Sequence, residues 1–261
     1  MRIIAFGDIH IGSGEQNDTE VMKAIEYIIE DIPSCDLIVI TGDFYDRLSD
    51  PGMREKAVTI LRSLASLSPV TIVRGNHDRI GDLTILSKIK SSNSIQVYEH
   101  PEWTSYEDAA VMFVPWTSKA EWMALNGVNE GIESADNALS AIFLSWLQSK
   151  TAAIRAKGVK NIFLFSHLTI AGARVSEHQE IMGGGIMVGT ENLKDAGITG
   201  GVFGHIHMPQ VFGDGSLVYT GSLTNLNFGE TDKCKSYAIV DTVTGTVKLR
   251  DILNRPGFAG E

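Results

Sequence analysis

The sequence predicts an α/β fold in which helices cover the faces of a layered sheet. Two observations carry this: the first third of the chain alternates short β-branched runs with segments of helical period, and buried-strand patterns return after residue 160. The composition permits it, because 261 residues with 43% hydrophobic and 21% charged side chains can bury a substantial core. Such a chain is neither disordered nor a disulfide-stapled miniprotein.

Residues 2–6 read as a buried strand ended by Gly7, and residues 19–32 carry Val21, Ile25, Ile28, Ile29 and Ile32 at helical spacing before Pro33 stops them. Leu37 to Ile40 is a second apolar run. Asp50-Pro51 has the chemistry of a helix cap and first turn, and Ala57, Ile60, Leu61, Leu64 and Leu67 share one face of the helix that follows. Val70 to Val73 is a third strand. Short strands at 95–98 and 110–114 precede a helix expected over 134–156, with Ala135, Leu139, Ile142, Phe143, Trp146 and Leu147 on its apolar face. Strands follow at 161–165 and 201–203, then a hairpin of 210–213 with 217–220 around Asp214-Gly215, then a last pair at 236–240 and 246–250. No repeat or linker interrupts the chain, so 1–261 reads as a single domain, with roughly the last ten residues as a tail.

With 22 Lys+Arg against 32 Asp+Glu, the net charge of −10 speaks against a protein held on nucleic acid by bulk positive charge. The charge is unevenly placed. Arg47 to Lys90 holds eight basic and four acidic residues, whereas Ser91 to Asp136 holds one and eight, which reads equally as a basic flank beside the site or as a solvated helix face with alternating charges. No apolar run approaches the roughly 18–20 residues that a membrane-spanning helix needs, so no membrane association is expected. Only Cys35 and Cys234 are present, without metal-ligand spacing, and the chain starts without a secretory pattern, so a cytoplasmic location is expected.

The residues that carry chemistry fall just after apolar strands, where an α/β sheet presents its crevice. They are Asp8 and His10, Asp43, Asn76-His77-Asp78, His167, and His205 with His207. In extended backbone the i,i+2 pairs Asp8/His10 and His205/His207 would each point two donors to one side. Carboxylate, imidazole and amide donors without thiolate suit Mn²⁺, Fe²⁺ or Zn²⁺. So many such groups exceed one catalytic ion but suit two sharing a carboxylate, a pair able to activate a bridging water and clamp a phosphoryl group.

In chain order these segments are GDIH (7–10), GD (42–43), GNHD (75–78), His167 and GHIH (204–207). The series resembles the calcineurin-like metallophosphoesterase superfamily. The resemblance implies a layered β-sandwich flanked by helices, forming a di-metal phosphoesterase domain. It further implies that Asp8, His10, Asp43 and His207 hold one metal and that Asp43, Asn76, His167 and His205 hold the other, with Asp43 bridging. His77 would be the non-ligand histidine that stabilises the transition state or protonates the leaving oxygen.

GDFYD (42–46), HLTIAGARVS (167–176), GHIHMPQ (204–210) and YTGSLTNLNFGE (219–230) are similar to the SbcD/Mre11 nuclease branch. That resemblance implies a Mn²⁺-dependent DNA exonuclease or endonuclease of DNA repair and recombination. It also implies a homodimer, with Ile60, Leu61 and Leu64 open either to its interface or to the core, and an SMC-like ATPase partner of the SbcC/Rad50 type. Some members carry histidine where this chain has Asp46, and Asp46 is expected to orient His77. The branch's capping domain and ATPase-binding segment are not expected within these 261 residues.

Other residues carry plainer expectations. Asp78 reads as a hydrogen-bonding partner within its turn, His100 and His178 as solvated loop residues, Gly183-Gly184-Gly185 as a surface turn, and Met182 and Met187 as packing residues. Two rival functions stand beside the nuclease. One keeps the chemistry but acts on a small phosphodiester or phosphomonoester; the other is a non-catalytic scaffold, which would be expected to have lost ligands, and none is missing.

Overall fold

A computed structural model describes residues 1–125, 135–176, 179, 185–226 and 234–252. His178, Met182, Gly183, Gly184 and the expected C-terminal tail lie outside the described residues. The elements in order are β1 (Arg2–Phe6), α1 (Glu15–Asp31), β2 (Leu37–Ile40), α2 (Pro51–Leu67), β3 (Val70–Val73), β4 (Ile95–Tyr98), β5 (Glu102–Ser105) and β6 (Ala109–Val114). They continue with α3 (Lys119–Leu125), α4 (Ala135–Arg155), β7 (Asn161–His167), β8 (Thr169–Ile170), β9 (Met187–Val188) and α5 (Thr190–Asp195). The last are β10 (Gly200–Gly204), β11 (Gln210–Phe212), β12 (Leu217–Tyr219), β13 (Ser236–Asp241) and β14 (Thr246–Asp251).

Two six-stranded sheets form the frame, in the orders β14-β13-β1-β2-β3-β4 and β11-β12-β10-β7-β6-β5. Strands β1 to β4 run parallel, as do β12, β10, β7 and β6, so each sheet gathers the ends of several parallel strands on one side. Strand faces explain the nearly unbroken apolar runs. Ile3 and Ala5 of β1 join Val39, Val111, Phe163, Phe165 and Val202 in the layer between the sheets. Ile4 and Phe6 point the other way, onto Val21, Ile25, Ile28, Ile60, Leu61 and Leu64 of α1 and α2. The second sheet packs its outer face, including Met112, Leu164 and Phe203, on Trp122, Leu139, Phe143 and Leu147 of α3 and α4. Strands buried on both faces have no polar alternation to show.

Several expectations change. Helix α1 begins at Glu15 rather than near residue 19, because its first turn, Glu15-Gln16-Asn17-Asp18, is polar and carries no apolar period. Of the two roles open to Ile60, Leu61 and Leu64, the structure takes the core of their own chain. Met187 is 52% exposed rather than packed. Among the described residues no helix is long and apolar enough to cross a membrane.

The basic excess of 47–90 also reads differently in space. Arg47 pairs with Asp50, Arg54 with Asp82, Lys56 with Asp18 and Arg74 with Glu121. Arg62 and Lys90 line a groove with Ser63, Ser66, Ser91 and Ser92. Helix α2 has run back along the sheet by that point, and Lys90 precedes the start of β4. The groove therefore lies at the end of the sheet remote from the residues that follow β1, β2 and β3.

Two substitutions separate packing from capping. Phe165→Ala, in the layer between the sheets, is expected to cost about 3–5 kcal/mol in urea unfolding. Asp50→Ala removes the carboxylate that accepts from Met53 N at 2.9 Å and is expected to lower the urea midpoint by much less than the core truncation.

Candidate metal centre

The polar residues singled out in the sequence converge where the parallel strands of the two sheets end. Asp8 and His10 follow β1, Asp43 follows β2, and Asn76 and His77 follow β3, while His167 ends β7 and His205 and His207 follow β10. Their backbone is not the extended one the i,i+2 spacing invited. Asp8 (φ 51°), His10 (53°), Asp43 (49°) and His205 (96°) all adopt left-handed conformations. Each costs roughly 1–2 kcal/mol for a residue with a Cβ, and a main-chain lattice holds the turns in place. Asp8 N donates to Gly42 O at 3.0 Å, Ile9 N and His10 N to Asp43 O at 2.9 and 3.0 Å, and Ile11 N to Phe44 O at 3.1 Å. His205 N donates to Asp8 Oδ1 at 2.9 Å, joining the second sheet to the first.

Side-chain donors gather accordingly. Asp8, His10 and His207 offer ligand atoms within 4.8 Å of one another, and so do Asp8, Asp43 and His167. Asn76 Oδ1 lies 2.8 Å from both His167 Nε2 and His205 Nδ1. Asp43 Oδ2 sits between one imidazole from each group, 3.6 Å from His10 Nε2 and 3.3 Å from His167 Nε2. Its other oxygen accepts from His77 N at 2.9 Å.

Two observations fit a divalent metal. His10 Nε2 is buried and makes no hydrogen bond although it faces this carboxylate. His167 Nδ1 donates to Thr41 O at 2.8 Å, which directs Nε2 into the cluster. Main-chain fixing of one ring nitrogen is how metal-binding histidines are commonly oriented.

Residues 1–209 match the family model described as calcineurin-like phosphoesterase. The chain belongs to this family. It is 27% identical over 275 aligned positions to the D component of the nuclease SbcCD of Bacillus subtilis, covering 94% of this chain and 67% of that protein. It is 25% identical to the protein of the same name in Staphylococcus epidermidis, covering 92% and 66%. The chain thus spans about two thirds of the length of these relatives. Among solved structures, the purple acid phosphatase PPD1 from yellow lupin aligns with a TM-score of 0.55 at 13% identity, over 97% of this chain and 52% of that one. The protein TT1561 of Thermus thermophilus aligns at 0.52 and 12%, over 96% and 98%. These two share the fold with this calcineurin-like phosphoesterase.

Charge in the calcineurin-like centre is set by mutual burial. Burial works to raise Asp43, but the surrounding imidazoles, His167 foremost, outweigh it and hold this carboxyl far below the usual range. His167 is the counterpart. Burial works to lower it, yet the Asp43 and Asp8 carboxylates carry it up to about 9. Burial and then the charge of His167 push His205 down to about 3.

Asp78 behaves as its turn implied. Its carboxylate accepts from Phe44 N, Tyr45 N and Gly75 N at 3.2, 2.9 and 2.9 Å, tying the second motif to the third. His100 is exposed. Asp46 stands beside His77, but its carboxylate is nearer His10: Oδ1 lies 3.1 Å from His10 Nδ1 and 4.0 Å from His77 Nδ1. The link to His77 runs instead through the main-chain carbonyl of Asp46, 2.8 Å from Nδ1.

Sequence reasoning missed Gln179. Its amide donates to His205 O at 2.6 Å and accepts from His207 N at 3.1 Å, bracketing the last donor segment. Partners that act on main-chain atoms leave no residue-type signature.

A Cβ at Gly75 would stand 2.1 Å from both Asp43 N and Asp43 Oδ1, so Gly75→Ala must displace the central carboxylate. Its divalent-metal affinity, measured by calorimetry, is expected to fall at least about tenfold. Because His167 sits at about 9 without metal, it is protonated at pH 7, and an ion taking Nε2 must expel that proton. Binding should release a proton at pH 7, and apparent affinity should climb by up to about tenfold per pH unit towards that value. Binding heats that do not change between buffers of different ionisation enthalpy would contradict this.

Proposed function

We propose that this calcineurin-like phosphoesterase is a two-metal DNA nuclease, with Mn²⁺ as the preferred ion. The observation that carries the reading is the similarity to components of two bacterial nucleases over more than nine tenths of the chain. The assembled donor set supports it, with Asp8, His10, Asp43 and His207 assigned to one ion and Asp43, Asn76, His167 and His205 to the other. Two bound ions supply an activated water and positive charge against the phosphoryl oxygens.

The chain's own residues do the rest. Asp43 stays ionised between His10 and His167, so its carboxylate is ready to serve both ligand groups. His77 is the catalytic histidine of this reading: its side chain is 36% exposed, within reach of a substrate. The Asp46 carbonyl can only accept, so His77 Nδ1 carries a proton and Nε2 is the nitrogen presented to the leaving oxygen. As imidazolium, Nε2–H donates to that oxygen as the bond to phosphorus breaks.

An ATPase of the SbcC type is the proposed protein partner, and self-association, where present, uses a face other than Ile60, Leu61 and Leu64. A role in DNA repair and recombination in the cytoplasm accords with the free thiols of Cys35 and Cys234.

One observation favours a second reading. The ion pairs of Arg47, Arg54, Lys56 and Arg74 leave the basic flank that a long polyanion would use to fewer side chains, exposed Arg79 among them, which suits a small phosphodiester. A panel in Mn²⁺ of linear duplex, single-stranded DNA, a cyclic dinucleotide and an aryl diester separates the two. DNA cleavage is expected to dominate. His77→Ser should keep both ions and lose about 10²–10⁴-fold in cleavage rate. Brisk turnover of the small diesters with both DNAs intact would overturn the DNA assignment.

A further inference from the structure

Asp46 presents two acceptors to two different histidines. Its carboxylate Oδ1 lies 3.1 Å from His10 Nδ1, and its main-chain carbonyl lies 2.8 Å from His77 Nδ1. Both groups only accept at neutral pH, so each places the proton of its histidine on Nδ1. For His10 this leaves the lone pair on Nε2, the buried atom without a hydrogen bond that faces Asp43 Oδ2 at 3.6 Å.

The contact is built on a rigid base. Ile11 pairs with Tyr45 across the two segments, and Asp46 N donates to Ile11 O at 3.0 Å. The residues flanking His10 and Asp46 are thus fixed by main-chain bonds before their side chains meet, which lowers the entropy cost of the side-chain bond. His10 is also confined edge-on by the rings of His77 and His207, 4.8 and 5.1 Å away.

We infer that Asp46 is a positioning residue for the metal site: its carboxylate fixes the tautomer and ring plane of His10, while its backbone carbonyl makes the hydrogen bond to His77. This rests on the two-metal reading above. It divides one residue between two tasks, so side-chain substitutions at Asp46 strike metal binding and spare the hydrogen bond that orients the proton-transfer histidine.

Mn²⁺ titration followed by the electron paramagnetic resonance of free Mn²⁺ tests this without an activity assay. Asp46→Ala is expected to weaken one of the two binding events by about 10- to 100-fold, the cost typical of losing an outer partner of a ligating histidine. Asp46→Asn, whose amide oxygen still accepts, should restore most of that loss. The Asp46→Ala effect should vanish when His10 is already alanine and persist in full alongside His77→Ser. Imidazole ¹⁵N spectra of the metal-free parent protein should show His10 protonated at Nδ1, a readout that needs no variant to fold.

An Nε2–H tautomer for His10 in those spectra overturns the inference. So do both affinities staying within about twofold of the parent in folded Asp46→Ala. A parent protein that binds fewer than two Mn²⁺ sinks the two-metal reading itself, and the inference with it.

Discussion

Asp43 is a carboxylate sealed from water, and the centre is arranged around satisfying it. Leaving such a charge uncompensated costs several kcal/mol, so it must be met by opposite charge and donors from several directions. His77 N takes one oxygen, His10 and His167 face the other, and Gly75 allows the backbone to lie against the carboxylate itself. The same demand explains Gly204, where a Cβ would stand 2.3 Å from Thr41 O and 2.8 Å from His167 Nδ1. Two sheets have to bring their strand ends this close for one carboxylate to meet imidazoles from both.

A second buried carboxylate shows how neighbours divide the work. Asp78 is pushed up to about 6, first by burial and then by the charge of Asp43, against the pull of three main-chain N–H donors. Asp43 keeps its charge because imidazoles surround it; Asp78 is surrounded by amides, and its task is to lace the turns after β2 and β3 together. Environments that drive two carboxyls apart assign them different roles.

Much of the frame was legible because buried parallel strands such as Leu37–Ile40 and Val70–Val73 are continuous apolar runs between turns. The elements that escaped notice lacked a period to read. Glu102–Ser105 is an edge strand without buried residues, and Thr169–Ile170 and Met187–Val188 are two residues long each. At the site, residue types at strand ends pointed to the donors, yet the spacing argument was wrong in its geometry. Asp8, His10 and His205 are delivered by left-handed turns, a property of tertiary hydrogen bonds that i,i+2 spacing cannot reveal. The pairing of Asp46 with His77 was legible, but residue type does not say whether a carboxylate or a carbonyl makes the contact.

Three histidines share one device, a Nδ1 pinned by an acceptor outside the cluster. His167 is pinned by Thr41 O, His77 by Asp46 O and His10 by the Asp46 carboxylate. In two cases the acceptor is backbone, so the fold itself dictates which nitrogen faces inward. The ion pairing of the nearby arginines and Lys56 then limits where a substrate's negative charge can be met. With those cations committed to Asp50, Asp82, Asp18 and Glu121, exposed Arg79, two residues beyond His77, is left as a basic side chain beside the centre. Attraction for a phosphodiester in the proposed reaction therefore falls to Arg79 and to the centre, where Asp43 and Asp8 are the anions that cations must first outnumber. The buried carboxylate that organises the fold at this end is thus also what makes its chemistry depend on divalent ions.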